Sequence, residues 1–66
     1  MNYKYKVTDE QGNIVSSGHC AGRTLDHVLK LLSRYEVKKC ERNFKVRDNW
    51  SYIASTAQGT LNVEVV

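Results

Sequence analysis

The residues of this chain best placed to do chemistry are its bases. Lys30, Arg34, Lys38, Lys39, Arg42, Lys45 and Arg47 crowd into one stretch whose only acids are Glu36 and Glu41. Seven positive charges against two negative give that segment +5. Residues 1–29 balance three bases against three acids, and residues 48–66 carry only Asp48 and Glu64. The formal excess of +3 is therefore focused in the middle of the chain. Such a field attracts polyanions, or an acidic patch on another protein. The competing reading is a solvated helix face, because Lys30, Arg34 and Lys38 recur at steps of four.

His19, Cys20, His27 and Cys40 are ligand-type residues, but their spacing lacks the paired clusters of a zinc site. His19 and Cys20 are adjacent, so in an extended chain they point apart. No metal and no other cofactor is expected. Cys20 near a helix start would be a reactive thiol. It has no acid–base partner beyond His19, so no catalytic residue is assigned and the chain reads as a non-enzyme. No leader-like apolar stretch follows Met1, which makes a cytoplasmic address with reduced thiols the expectation.

Gly18-His19-Cys20-Ala21-Gly22-Arg23-Thr24 has the outline of a phosphate-binding loop. It is one residue too short, and arginine stands where lysine is needed. What survives is a candidate anion site at the helix start, formed by Gly22, Arg23 and Thr24 with the first helical amides. Tyr3 and Tyr5 alternate with Lys4 and Lys6. They could form a base-stacking platform flanked by phosphate contacts, though two core tyrosines with a solvated lysine face is the simpler account.

These residues must be positioned by a small number of elements. Residues 2–8 alternate in polarity and predict a strand; Asp9 to Asn13 predicts a hairpin loop turned by Gly12, with a return over 14–17. Thr24 is a candidate N-cap. Leu25, Val28, Leu29, Leu32 and Tyr35 then follow a helical spacing. No glycine or proline marks the end of that helix, which falls anywhere from Tyr35 to Arg42. Asn43 to Arg47 predicts a further strand, with Phe44 and Val46 on one side, and Asp48-Asn49 a turn. Trp50 to Thr56 is rich in β-formers, and Gln58-Gly59 predicts a turn into an alternating strand over 60–66. The expected fold is α+β, a single domain over 1–66 in the order β-β-α-β-β-β. One helix lies across a curled antiparallel sheet.

A chain of 66 residues has a small core and is often helped by a partner. The last strand, with nothing after it to cover it, is expected at a sheet edge, where residues 60–66 would pair in a homodimer. The functional expectation is a binding module whose partner is nucleic acid, DNA or RNA, or an acidic protein surface, and not a membrane. The alternative is an inhibitory accessory factor of phage or plasmid type, acting through the basic segment or the final strand.

Overall fold

A computed structural model describes residues 2–43 and 50–66. Its elements are β1 (Tyr3–Thr8), β2 (Ile14–Cys20), α1 (Leu25–Leu31), β3 (Val37–Arg42), β4 (Trp50–Thr56) and β5 (Gly59–Val65). The five strands form one antiparallel sheet in the order β2-β1-β5-β4-β3. The sheet stays open, with β2 and β3 as its edges. With the single helix it makes one compact α+β domain.

Period-two patterning places the core. Val7 faces Val63, which faces Tyr52 on its other side; Tyr5 and Trp50 flank Val65 in the same way, and Ala54 faces Leu61. Paired residues share a face of a sheet. One face therefore gathers Val7, Tyr52, Ala54, Leu61, Val63 and Val65, and α1 adds Val28 and Leu32 to the cluster. Leu32 is the residue that caps α1; its N–H bonds the Val28 carbonyl at 3.1 Å, so the two lie on one side of the helix. The other sheet face carries Lys4, Lys6, Asn62 and Glu64.

The hairpins are built by local polar chemistry. At β1–β2, the Asp9 carboxylate accepts the backbone N–H groups of Gln11 and Asn13, and Gly12 supplies the positive φ of 85°. At β4–β5, Ala57 and Gln58 form the loop, and Gly59 already pairs with Thr56 while holding φ at 120°. The Thr56 hydroxyl donates to the Gly59 carbonyl and accepts from the Gln58 N–H. Glu10 accepts the Thr60 N–H at 2.9 Å, which ties the two hairpin ends together.

Four expectations need correction. The helix stops at Leu31, earlier than any end read from the sequence. Leu32 leaves helical geometry, and the next bonds are tight three-residue ones, Ser33 N–H to Lys30 and Tyr35 N–H to Leu32. With Val28 and Leu32 seated, only a turn brings Tyr35 and Val37 back to the same core. Second, Val37–Arg42 is a strand, where the sequence reads as the end of the helix or a polar loop. The expected pattern of Phe44 and Val46 and the turn at Asp48-Asn49 lie outside the described residues. Third, β2 runs on to Cys20, so Gly18, His19 and Cys20 are strand residues and not loop. Gly18 fits there because the Tyr5 ring lies over it; an added Cβ would meet that ring at 3.2 Å. Fourth, β5 is central. It pairs with β1 on one side and β4 on the other, so residues 60–66 offer no free edge for a homodimer. A terminal strand takes the middle here because its apolar residues alternate most cleanly and are needed by both neighbours.

Candidate functional site

Four side chains from distant parts of the chain meet at one end of the core-bearing face. Tyr3 opens β1, Trp50 opens β4, Arg42 closes β3, and Arg23 lies in the connection from β2 to α1. The antiparallel registers bring these strand ends together, since Tyr5 and Trp50 both flank Val65 while Arg42 faces Tyr52. The Arg23 guanidinium sits 4.9 Å from the centre of the Tyr3 ring and 4.8 Å from that of Trp50. The Arg42 guanidinium lies 3.9 Å from the Trp50 ring. Cations within about 6 Å of a ring centre are held by its quadrupole, and arginine stacks best.

The backbone under Arg23 is fixed as well. The Tyr52 hydroxyl donates to the Arg23 carbonyl at 2.6 Å. Burial raises the Tyr52 phenol above its ordinary value, with Arg42 acting against that shift. Two exposed ion pairs, Lys6–Glu64 and Lys39–Glu41, each span 3.8 Å, and Arg23 belongs to neither. Among the described residues no carboxylate comes within ion-pair distance of Arg23. Its charge is held by rings that stack with it without neutralising it.

The described bases of the segment are spread over α1, the turn after it and β3. Lys30 is exposed on α1 and Arg34 is exposed in the turn that follows. Lys38 belongs to β3, so the four-residue spacing Lys30, Arg34, Lys38 is no helical face. Lys39 faces Ser55 and Glu41 faces Ile53 on the open side of the sheet, while Arg42 shares the side of α1. Lys45 and Arg47 lie outside the described residues. The exposed lysines of β3 have a structural use, because charge on an edge strand discourages unwanted pairing.

Side chains crowd the residues just before the helix. The His27 ring lies over Gly22, where an added Cβ would come within 2.6 Å of it. The Thr24 hydroxyl bonds His27 Nδ1 at 2.7 Å and makes no side-chain cap. Of Gly22, Arg23 and Thr24, Arg23 is the one whose side chain joins the aromatic cluster of Tyr3 and Trp50.

Both cysteines are free and half-buried. Cys20 donates to the Gly22 carbonyl at 3.3 Å. Burial and the neighbouring Glu41 raise the Cys40 thiol. They stand on opposite edges of the sheet with three strands between them. Four interstrand steps amount to about 19 Å, far beyond disulfide reach. Among the described residues no three His, Cys, Asp or Glu gather at one point.

Arg23 as a stacking partner and Trp50 as its platform were not legible beforehand. Positions 3, 23, 42 and 50 have no common spacing, and only the register of four strands unites them. No protein-family model, no curated protein and no solved structure matches this chain.

Proposed function

We propose that this chain is a non-enzymatic binding module for a polyanion, DNA or RNA, which it engages along the α1 and β3 side of the domain. The observation that carries the reading is the stack of Arg23 and Arg42 on Trp50 and Tyr3. A guanidinium gripped by rings, as Arg23 is, loses little freedom when it meets a phosphate, to which it can donate through its N–H groups. Lys30, Arg34 and Lys38 stand exposed on the neighbouring elements, and α1 packs toward β3. They extend the positive field around the stack and contribute steering more than specific contacts. Aromatic rings at the same spot favour nucleic acid over an acidic protein surface, because bases can stack on them. No helix among the described residues is long and apolar enough to cross a membrane.

Trp50 is the one tryptophan of the chain, so its emission reports the site directly. Titration with single-stranded DNA, RNA and an acidic peptide of equal charge should change that emission for the nucleic acids. The affinity should fall linearly in log–log form as salt rises. Arg23→Ala should weaken binding across all sequences and reduce the salt slope by about one. The reading fails if low-salt titration leaves the emission unmoved, or if the acidic peptide binds tighter than either nucleic acid.

A further inference from the structure

Lys4 and Lys6 alternate with Tyr3 and Tyr5 along β1 and stand on the open face of the sheet, where the aromatic stack makes no use of them. Register shows what surrounds them. Lys6 pairs with Glu64 of β5, and Lys4 exchanges both backbone hydrogen bonds with Val66. Paired residues share a face, so these four side chains stand at the corners of a square on the β1–β5 ladder. They border a cavity of about 300 Å³ that is open to solvent. Tyr5 completes the lining; its ring lies over Gly18 on the core face, so it lends backbone to the floor. On the flanks, His19 faces Lys4, Ser17 faces Lys6 and Ser51 faces Glu64.

The square mixes a free cation with an unused acceptor. Among the described residues no carboxylate comes within ion-pair distance of Lys4. Lys6 and Glu64 approach only to 3.8 Å, too far for a hydrogen bond, and both are well exposed. Among the described residues the Glu64 carboxylate accepts no hydrogen bond. Across from it the Ser51 hydroxyl is buried without a partner, so this row has a donor to spare beside the carboxylate. Two lysines against one glutamate leave the side chains of the square at +1. A ligand of one negative charge balances that sum, and a phosphodiester carries one. An ammonium brought to Glu64 would be repelled by Lys6 beside it, whereas a neutral hydroxyl would not. The square therefore suits a singly charged anion with a hydroxyl next to it. The 2′-hydroxyl beside each phosphodiester of RNA is that combination, and DNA lacks it.

We infer that Lys4, Lys6 and Glu64 recognise the ribose-phosphate backbone of RNA: the lysines hold a phosphate as point charges, and Glu64 accepts the neighbouring 2′-hydroxyl. The inference rests on the polyanion reading for its ligand class and narrows that class to RNA. With DNA the carboxylate faces the same phosphate and has no hydroxyl to accept, so repulsion alone is left. Tyr3 and Lys4 are consecutive in β1 and point to opposite faces. The aromatic stack and this site therefore flank the same end of the strand, and a flexible single strand can touch both.

The test titrates the full chain into end-labelled single strands of one sequence, made as RNA, DNA and 2′-O-methyl RNA, and reads fluorescence anisotropy at fixed salt. Wild type should bind RNA about tenfold tighter than DNA, the size of one hydrogen bond to a charged group. The 2′-O-methyl strand has lost the donor and should bind like DNA. Glu64→Ala should bring all three strands to one affinity. Lys4→Ala should weaken RNA binding and lower its salt slope by about one. Circular dichroism and Trp50 emission check that the variants fold; if Glu64→Ala does not, the 2′-O-methyl strand on wild-type protein still decides. Equal affinity of wild type for RNA and DNA overturns the inference, and it leaves the polyanion reading standing where both strands weaken with salt and with Arg23→Ala. An RNA preference that survives 2′-O-methylation or Glu64→Ala overturns it too, as does an RNA affinity that Lys4→Ala leaves unchanged. If neither nucleic acid binds, both readings fall together.

Discussion

Tyr52 joins the core to the candidate site in a single side chain. Its ring is 3% exposed within the apolar cluster, and its hydroxyl reaches out to the Arg23 carbonyl. Both Tyr52 and Cys40 are pushed up by burial. A group whose pKa is raised on folding stabilises the fold fully below its unfolded value, and that stability is lost as pH climbs through the folded value. The unfolded values are about 8.5 for cysteine and about 10 for tyrosine. These two groups should therefore leave stability unchanged below about pH 8.5 and erode it progressively above. Cys40→Ser should remove the earlier part of that alkaline loss and Tyr52→Phe the later part, read as Tm against pH. Tyr52→Phe should also cost about 1 kcal/mol at neutral pH for the missing hydrogen bond. A Tm that falls identically with alkaline pH in wild type and both variants would refute the assignment. The helix stripe was only partly legible at this scale. Leu25, Val28, Leu29, Leu32 and Tyr35 share one spacing, yet Val28 and Leu32 are fully buried while Leu25 and Leu29 are each 39% exposed. A two-turn helix has one narrow contact line, so a broad stripe overstates its burial. Leu32→Ala should cost about 2–5 kcal/mol, a large share of the stability of so small a domain. Leu29→Ala should cost well under half of that in urea unfolding.

Among the elements, the hairpin loops were the most readable and the edges the least. Asp9 to Asn13 and the segment around Gly59 announce themselves because turn chemistry is local. Strand neighbours are not local, and β5 was placed at an edge for want of any long-range signal. β3 was missed for a related reason: Val-Lys-Lys-Cys-Glu-Arg has weak strand propensity, and its order comes from hydrogen bonds to β4. The helix could not be ended from sequence because no glycine or proline closes it; the tertiary need to return Tyr35 and Val37 to the core does so. Gly59 offers a clean test of an element. It holds φ at 120° while still pairing with Thr56, in a region that side chains other than glycine rarely adopt. Space is not the constraint, since an added Cβ meets only the Glu10 carboxylate at 3.4 Å or beyond. Gly59→Ala should therefore destabilise through backbone strain by about 1–3 kcal/mol, measured by urea denaturation. A neutral result would show that the β4–β5 turn relaxes freely.

At the scale of the whole molecule, the two ends of the described chain lie together in the middle of the sheet. Lys4 and Val66 exchange both backbone hydrogen bonds, at 3.0 and 2.8 Å, and Val7 pairs with Val63. The central pairing thus joins residues at almost the greatest sequence separation this chain permits. Folding rates fall as contacts become less local, because the loop must close before those contacts can repay it. The strand order β2-β1-β5-β4-β3 contains only this one non-local step; α1 is the sole element between β2 and β3. Joining Val66 to Met1 through a short glycine-rich linker, and opening the chain between the exposed Ser33 and Arg34, rewrites the order as β3-β4-β5-β1-β2-α1. Every neighbouring strand pair is then consecutive in sequence, and only the packing of α1 toward β3 becomes distant. Adjacent ends favour tolerance of such a permutation. The permuted protein should keep the wild-type circular dichroism and fold faster by about tenfold or more, followed by Trp50 emission in stopped flow. Equal folding rates would mean that β1–β5 closure is not the slow step. A permuted chain that loses the wild-type circular dichroism would contradict the adjacency of Lys4 and Val66 on which the topology rests.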